Sequence, residues 1–183
     1  MKKLIWLGLC FLFFVPLGAQ EYSGVDGGEM KAPEFTLKDL DGNEISLSDF
    51  RGNYVVIHIA TTWCPFCNAE APHLEQLYRE YHDKGVQVLL IDVKESRELV
   101  RSNMKEKYNL SFPVLIDCDG KVAARFAPPG VLPDLARDEV MLASNILVDR
   151  EGMIKYMSLL DSRNFDARLV TLRLKLDEHL ASN

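Results

Sequence analysis

The spacing of apolar and polar residues changes several times along the chain, and each change predicts a new element. Three nearly continuous apolar runs, at residues 54–60, 86–93 and 112–117, are rich in strand-forming residues. Such runs are typical of strands buried on both faces of a sheet. Two shorter alternating runs, residues 35–37 and 44–47, flank a turn sequence, Asp-Gly-Asn. This arrangement predicts a β-hairpin at the start of the domain.

Helical spacing separates these strands. From Pro65 onward the apolar residues recur at helical intervals, and Pro72 should kink that helix because proline removes a backbone hydrogen bond. Further helices are predicted at residues 96–110 and, as a short piece, at residues 121–126. The last helix is expected to begin near Asn164 and to carry one apolar stripe: Phe165, Leu169, Leu172, Leu176 and Leu180.

The order of these elements predicts the fold class. After the hairpin, strands alternate with helices, which indicates a parallel sheet. A late strand–turn–strand at residues 144–159 should add antiparallel strands at an edge. We therefore expect an α/β protein with a central mixed sheet, helices on both faces and an N-terminal β-hairpin. Residues 127–141 hold three prolines and a glycine and predict a long irregular insertion.

The N-terminal residues differ in composition from the rest. A short basic start leads into an uncharged apolar stretch that ends at Ala19, as in a secretory signal peptide. We expect a signal peptide at residues 1–19, a flexible linker at residues 20–31 and one domain at residues 32–183. An uncleaved membrane anchor is the alternative, although a full span needs about 20 residues. Both interpretations place the domain outside the cytoplasm, as in the periplasm, where disulfides persist. A cleaved signal would leave no stable membrane insertion.

Composition and charge exclude some classes of function. The chain has 183 residues, of which 48% are hydrophobic, and a formal net charge of −6. This composition is typical of a globular domain. Because no long cluster of lysine and arginine can form a basic face, we expect no nucleic acid as a partner.

Two cysteines, Cys64 and Cys67, stand between a predicted buried strand and a predicted helix. The free N–H groups and the dipole of a helix N-terminus favour a thiolate on Cys64. A thiolate is the species that attacks disulfides. We therefore expect Cys64 to be an exposed nucleophile and Cys67, one turn further on, to be the resolving thiol that closes a Cys64–Cys67 disulfide. Pro65 suits the first helical turn, since no N–H group is needed there.

Three other uses of this cysteine pair are open. A structural zinc site usually needs four ligands, and the chain has no second pair or matching histidine spacing. A c-type haem requires histidine after the second cysteine, but Asn68 follows it. A purely structural disulfide would close too small a loop to add much stability. We expect a redox-active pair, with no metal and no other cofactor.

Two further residues receive an ordinary structural interpretation. Cys118, at a predicted strand–turn junction, is expected to be a buried or half-buried thiol, with a regulatory or dimer-forming thiol as the alternative. His58, within the first long strand, is expected to be a core histidine with satisfied hydrogen bonds.

The sequence TTWCPFCNAEAP, with FPVLIDCDGKVAARF and NILVDREGMI further on, resembles the thioredoxin superfamily. Within it, the chain is similar to the extracytoplasmic TlpA/ResA-like thiol–disulfide oxidoreductases, which have an AhpC/TSA-redoxin-like domain. The resemblance spans about residues 32–161. It implies a thioredoxin-like fold with Cys64 as nucleophile and Cys67 as resolving cysteine. It also implies that Trp63 shapes the partner surface and that Glu70 modulates the cysteine pKa values; a solvated Glu70 is the alternative.

The chain departs from this family at one position. A cis-proline usually precedes the strand that corresponds to residues 145–149, opposite the cysteines. Ala143 or a neighbour takes that position here. A cis bond before a residue other than proline costs about 3 kcal/mol, so we expect a trans bond. We assign Ala143, with Trp63 and Pro65, to the surface that meets a partner.

The leading functional hypothesis is exchange of the Cys64–Cys67 disulfide with cysteines of client proteins. By resemblance, the reducing direction is favoured, as in cytochrome c maturation or disulfide repair. The expected partners are protein thiols and disulfides and an upstream membrane electron donor, and the protein is expected to be a monomer. One alternative is a thiol peroxidase, for which Thr61 fits the motif but Ile57 replaces its proline. Another is a metal-delivery or other binding module on the same fold.

Overall fold

The structure is a computed structural model that describes residues 24–26, 30–128, 136–159 and 161–182. The predicted signal peptide lies outside the described residues, as do residues 129–135 of the predicted insertion. Among the helices of the described part, none has the length and apolar character that a membrane span requires.

One mixed sheet organises the described residues. Its strands are β1 (Gly24–Asp26), β2 (Thr36–Asp39), β3 (Glu44–Ser46), β4 (Tyr54–Ala60), β5 (Val86–Val93), β6 (Val114–Asp117), β7 (Ser144–Val148) and β8 (Ile154–Ser158). They lie side by side in the order β1-β8-β7-β4-β5-β6-β2-β3. The three strands β4, β5 and β6 are parallel, whereas β7, β8 and the β2–β3 hairpin add antiparallel pairs. The predicted mixed sheet and N-terminal hairpin are both confirmed.

Helices cover both faces of the sheet, as predicted. They are α1 (Pro65–Tyr81), α2 (Arg97–Val100), α3 (Lys121–Phe126) and α4 (Val170–Ala181); α2 continues as a π-helix over Arg101–Glu106. On one face, Leu74 of α1 and Leu172 of α4 join the same apolar cluster. Phe126 of α3 belongs to the cluster on the opposite face. Each face therefore has its own core, and β4 contributes to both.

The strand β4 is the centre of the molecule. It lies between β5 and β7, and all seven of its residues are buried. Burying an aliphatic side chain completely stabilises a fold by about 1.5–3 kcal/mol, so this strand is among the best anchored parts of the chain. The chain turns directly from β4 into α1, so the residues between these two elements are held by a strand that is buried along its whole length.

The beginning of the last helix differs from the prediction. It begins at Val170, six residues after Asn164, where the apolar stripe starts. Leu169 adopts a left-handed backbone conformation, with φ of 58°, and a helix cannot continue through such a residue. Before it, Asn164 donates a backbone hydrogen bond to the Asp161 carbonyl, as in a turn. Leu169 is therefore a buried residue of a loop, and Phe165 is a partly buried residue of the same loop.

Part of the predicted linker at residues 20–31 is also different. The strand β1 pairs with β8, and Lys31 forms an antiparallel bridge with Met153. The outer side of β8 offers unpaired backbone groups, and an extended segment satisfies them by adding a strand. Residues 24–26 and 31 therefore extend the sheet, although they lie in the segment that the sequence predicts as a linker. The exact domain boundary stays a prediction.

Candidate active site

The two cysteines lie where β4 passes into α1. Cys64 is the N-cap residue of α1, Pro65 is the first residue of the helix, and Cys67 is one turn further on. The backbone N–H of Cys67 donates a hydrogen bond to Sγ of Cys64 at 3.2 Å. Both cysteines are free thiols, so the structure describes the reduced form of the pair. The sequence prediction of Cys64 at a helix N-terminus is confirmed.

The surroundings give the two thiols different acidities. Hydrogen bonds from Cys67 and from the backbone of the first turn lower the pKa of Cys64 to about 7, against an opposing effect of burial. Burial raises the pKa of Cys67, and the neighbouring sulfur of Cys64 raises it further. At neutral pH, Cys64 is therefore partly a thiolate and Cys67 is a thiol. The two thiols therefore differ in how readily they lose a proton.

Burial of the first cysteine was not expected. Only 3% of Cys64 is exposed, and Cys67 is fully buried. The hydrogen bond from Cys67 holds the Cys64 sulfur against the first turn of α1, and both cysteines join the apolar cluster on that face. The prediction of an exposed Cys64 is therefore wrong for the reduced form. An incoming disulfide has to reach a sulfur that lies just beneath the surface.

Glu70 lies on α1, one turn beyond Cys67, and its side chain points into the protein. It is 3% exposed, which excludes the alternative of a solvated helix residue. Nδ2 of Asn145 donates to its Oε1 at 2.8 Å. Burial raises the pKa of Glu70 to about 9, and the charge on Cys64 adds to this effect. In turn, a negative charge on Glu70 raises the pKa of Cys67.

Two more polar residues complete this buried cluster. Asn145 was not predicted from the sequence as a site residue, although its position two residues after Ala143 places it opposite the cysteines. His58 was identified only as a core histidine, and it is indeed fully buried. Its Nδ1 lies 3.0 Å from Oδ1 of Asn145, but its Nε2 has no hydrogen-bond partner among the described residues. The backbone of Ser144 also acts on the ring and raises its pKa, so the expected core histidine is confirmed in its burial and only partly in its hydrogen bonds.

The backbone at Ala143 lies next to the cysteines. Its N–H donates to the carbonyl of Ile59 in β4 at 2.9 Å, and its side chain joins the cluster that contains Cys64 and Cys67. The described peptide bonds are all trans, as predicted for this position. Ala143 has φ of 57°, a left-handed conformation that is uncommon outside glycine. A cleft beside it is lined by Glu70, Asn145 and Phe165, among others.

On the other side of the cysteines, Trp63 is 67% exposed and forms a protruding apolar surface. The loop that carries it is held by Glu95, which accepts hydrogen bonds from both the backbone N–H and the hydroxyl of Thr62. No local sequence pattern distinguishes Glu95 from an ordinary surface residue. A groove beside Trp63 is lined by Val93, Leu142 and charged side chains, including Glu139.

Two sequence predictions concern residues elsewhere. Cys118 follows β6 and is exposed, so the prediction of a buried or half-buried thiol is wrong. The apolar strand ends at Asp117, and the turn Asp119-Gly120 carries Cys118 outward. In the described part of the chain, no group of three or more His, Cys, Asp or Glu side chains is placed to hold a metal ion.

A mixed sheet with a CxxC pair at the N-terminus of the helix after its central strand defines a thioredoxin-like protein. Comparison with solved structures agrees. A secreted thiol–disulfide isomerase from Corynebacterium glutamicum superposes with a TM-score of 0.70, covering 96% of this chain and all of that one, at 21% identity. At that identity, the similarity supports the fold alone.

Sequence comparisons define the family. The AhpC/TSA family model matches residues 29–157. A thiol-disulfide oxidoreductase ResA from Bacillus thuringiensis is 34% identical over 68% of this chain and 65% of its own length. A ResA from Halalkalibacterium halodurans is 36% identical over 84% of this chain and 85% of its own. The chain therefore belongs to the AhpC/TSA family, as a ResA-like member of the thioredoxin superfamily. Its match to the first of these relatives spans less than two thirds of that protein.

Proposed function

We propose that this protein is a thiol–disulfide oxidoreductase that exchanges disulfides with cysteines of client proteins through Cys64 and Cys67. The observation that carries the proposal is the unequal acidity of the two thiols in one helical turn. A low pKa supplies an attacking thiolate near neutral pH. A buried thiol beside it is protected from other reactions until it is needed.

The reaction has two exchange steps in the reducing direction. The Cys64 thiolate attacks a client disulfide, whose S–S bond breaks as a Cys64–client bond forms and one client thiolate leaves. Cys67 then loses its proton and attacks Sγ of Cys64. The mixed disulfide breaks, the second client thiolate leaves, and the Cys64–Cys67 disulfide forms. Two electrons have passed to the client, which takes up two protons as its thiols form.

The first step prepares the second one electrostatically. In the reduced form, the charge on Cys64 raises the pKa of both Cys67 and Glu70. Formation of the mixed disulfide removes that charge, so both pKa values fall at that moment. Glu70 then becomes a carboxylate more easily, and it is a buried carboxyl group one turn beyond the resolving cysteine on α1, close enough to influence its pKa. We propose that it receives the Cys67 proton.

The compartment and the partners are part of this proposal. The apolar N-terminal segment and the relatives named ResA support an extracytoplasmic protein, with the periplasm as its place in a cell that has one. A reductant there needs a source of electrons, so we propose an upstream membrane donor that reduces the Cys64–Cys67 disulfide. The exposed residues Trp63 and Pro65 form the surface that meets clients, and the protein acts as a monomer. The expected contribution of the Ala143 side chain to that surface is wrong, because the residue is only 3% exposed.

A redox titration against dithiothreitol and glutathione tests this function. The wild type should convert reversibly between the dithiol and a Cys64–Cys67 disulfide, identified by mass spectrometry of alkylated peptides. A midpoint near that of thioredoxin, about −270 mV, indicates a reductant, whereas one near about −120 mV indicates an oxidant. Cys118→Ser is the matched control and should leave the midpoint unchanged. A pair that never cycles, or rapid turnover of hydrogen peroxide, would contradict the proposal.

A further inference from the structure

A row of three buried polar side chains leads from the interior of the sheet to the cysteine site. Nδ2 of Asn145 donates to Oε1 of Glu70 at 2.8 Å, and Nδ1 of His58 lies 3.0 Å from Oδ1 of Asn145. His58, Asn145 and Glu70 are 0%, 2% and 3% exposed. Buried polar groups are costly unless they are paired, so this row needs an explanation.

The pairing of two neighbouring strands places these side chains together. His58 and Asn145 are directly opposite each other in the antiparallel pair β4–β7. Both side chains point to the face that α1 covers, where Glu70 meets them. Strand positions are fixed on both sides by the hydrogen-bond ladder, so the two residues hold a set geometry relative to the helix. The row is therefore a rigid support for Glu70.

The hydrogen bonds of this row have a defined direction. Because Asn145 donates its Nδ2 to Glu70, its Oδ1 faces His58 and can only accept. His58 must then donate from Nδ1, and it is neutral because burial lowers its pKa to about 4. In this arrangement the Nδ1–H of His58 holds the Asn145 amide in the orientation in which its Nδ2 donates to Glu70. A donor stabilises the ionised form of a carboxyl group.

A second arrangement uses the same atoms. If the Asn145 amide turns over, its oxygen can accept from a protonated Glu70 and its nitrogen can donate to an unprotonated Nδ1 of His58. His58 would then carry its proton on Nε2. In the described residues, neither Nε2 of His58 nor Oε2 of Glu70 has a hydrogen-bond partner.

We propose that His58 and Asn145 are positioning residues that set the protonation of Glu70 and, through it, the transfer of the Cys67 proton. The part that concerns Cys67 rests on the proposed exchange function. The part that concerns Glu70 stands without it.

Other groups also act on Glu70 and have to be considered in a test. Titratable side chains face it or share its cleft from every neighbouring element: Cys64 and Cys67 on α1, His58 on β4, Tyr156 on β8, and Asp161 and Asp166 before α4. No lysine or arginine lines that cleft among the described residues. The acidic neighbours raise the pKa of Glu70, so the donor from Asn145 is the contact that opposes them.

Two variants separate the hydrogen bond from simple packing. His58→Leu removes the Nδ1 donor, so that the amide of Asn145 is free to turn. His58→Asn retains a donor near the Nδ1 position. The pKa of Glu70 is measured in the reduced protein by NMR from the δ-carbon shift of labelled glutamate. We expect His58→Leu to raise it by about 0.5–1 unit, which corresponds to the loss of one hydrogen bond, and His58→Asn to leave it near the wild-type value.

A kinetic readout connects the same variants to Cys67. The protein carrying Cys118→Ser, which lacks the exposed third thiol, is treated with Ellman's reagent, and release of the second nitrothiobenzoate reports the attack of Cys67 on the Cys64 mixed disulfide. Its pH midpoint should rise with His58→Leu but not with His58→Asn. In a Glu70→Gln background, His58→Leu should cause no further shift.

The outcomes distinguish the inference from the proposed function. An unchanged Glu70 pKa in His58→Leu, or equal shifts in both His58 variants, would overturn the inference. A shift of the kinetic midpoint that persists in Glu70→Gln would overturn it as well, because His58 would then act without Glu70. A Cys118→Ser protein with His58 and Glu70 intact that releases no second nitrothiobenzoate would refute the exchange function, while the Glu70 titration would still decide the role of His58.

Discussion

Replacing Glu70 by glutamine should stabilise the protein at neutral pH, although it alters the candidate site. Burial raises the pKa of Glu70 from 4.5 to about 9 in the folded protein. Folding therefore retains a proton that the unfolded chain loses between these two pH values. Because the unfolded state binds fewer protons there, the free energy of unfolding falls as pH rises from 4.5 to about 9.

The size of this effect follows from the same values. A pH of 7 lies about 2.5 units above 4.5, the pKa of Glu70 in the unfolded chain. Each of these units lowers the free energy of unfolding of the wild type by about 1.4 kcal/mol. Glutamine resembles the protonated carboxyl group and does not ionise. We expect Glu70→Gln to raise the free energy of unfolding by about 3 kcal/mol at pH 7, and by little at pH 4.

Urea unfolding of the reduced protein at several pH values measures this difference. Reducing conditions are needed so that a Cys64–Cys67 disulfide does not contribute to stability. Glu44→Gln is a suitable control, because Glu44 is an exposed residue of β3 and the change should be within about 0.5 kcal/mol at any pH. A Glu70→Gln protein that is no more stable than the wild type at pH 7, with the same pH slope, would refute the reasoning.

Three further predictions follow from individual residues. Alkylation of Cys64 should reach half its maximal rate near pH 7, as its pKa is about 7, and peptide mass spectrometry should find Cys67 modified far more slowly; earlier modification of Cys67 would contradict the assigned roles. Trp63→Ala should change stability by less than about 1 kcal/mol because the side chain is 67% exposed. It should nevertheless slow reduction of a protein disulfide such as insulin more than exchange with dithiothreitol; equal slowing would argue against a client surface. Gly152→Ala should destabilise the protein by about 1–2 kcal/mol in thermal unfolding, since Gly152 has φ of 90° and its Cβ would lie 2.8 Å from the guanidinium of Arg51; an unchanged melting temperature would contradict this.

The sequence contained enough to predict the sheet and the cysteine pair. Short apolar runs rich in β-branched residues predict strands such as β4, because a strand covered on both faces of a sheet excludes most polar residues. The position of Cys64 followed from the change of period after that strand. Both are local signals, readable within about 20 residues.

Features that depend on distant contacts could not be predicted in this way. The stripe that suggested a helix from Asn164 includes Phe165, which instead packs against Phe66 with ring centroids 4.8 Å apart. An apolar residue in a loop core and one on a helix face look alike in sequence. In the same way, His58 and Asn145 are 87 residues apart, and only the β4–β7 register brings them to Glu70.

The central claim is that Cys64 attacks and Cys67 resolves, and trapping of the mixed disulfide tests it most directly. Reduced Cys67→Ser protein is incubated with an oxidised protein substrate, and the covalent complex is digested and mapped by mass spectrometry. We predict a stable complex linked through Cys64, with none in Cys64→Ser and an unchanged yield when Cys118 is also replaced by serine. A complex linked through Cys118, or equal trapping by the Cys64→Ser protein, would contradict the account.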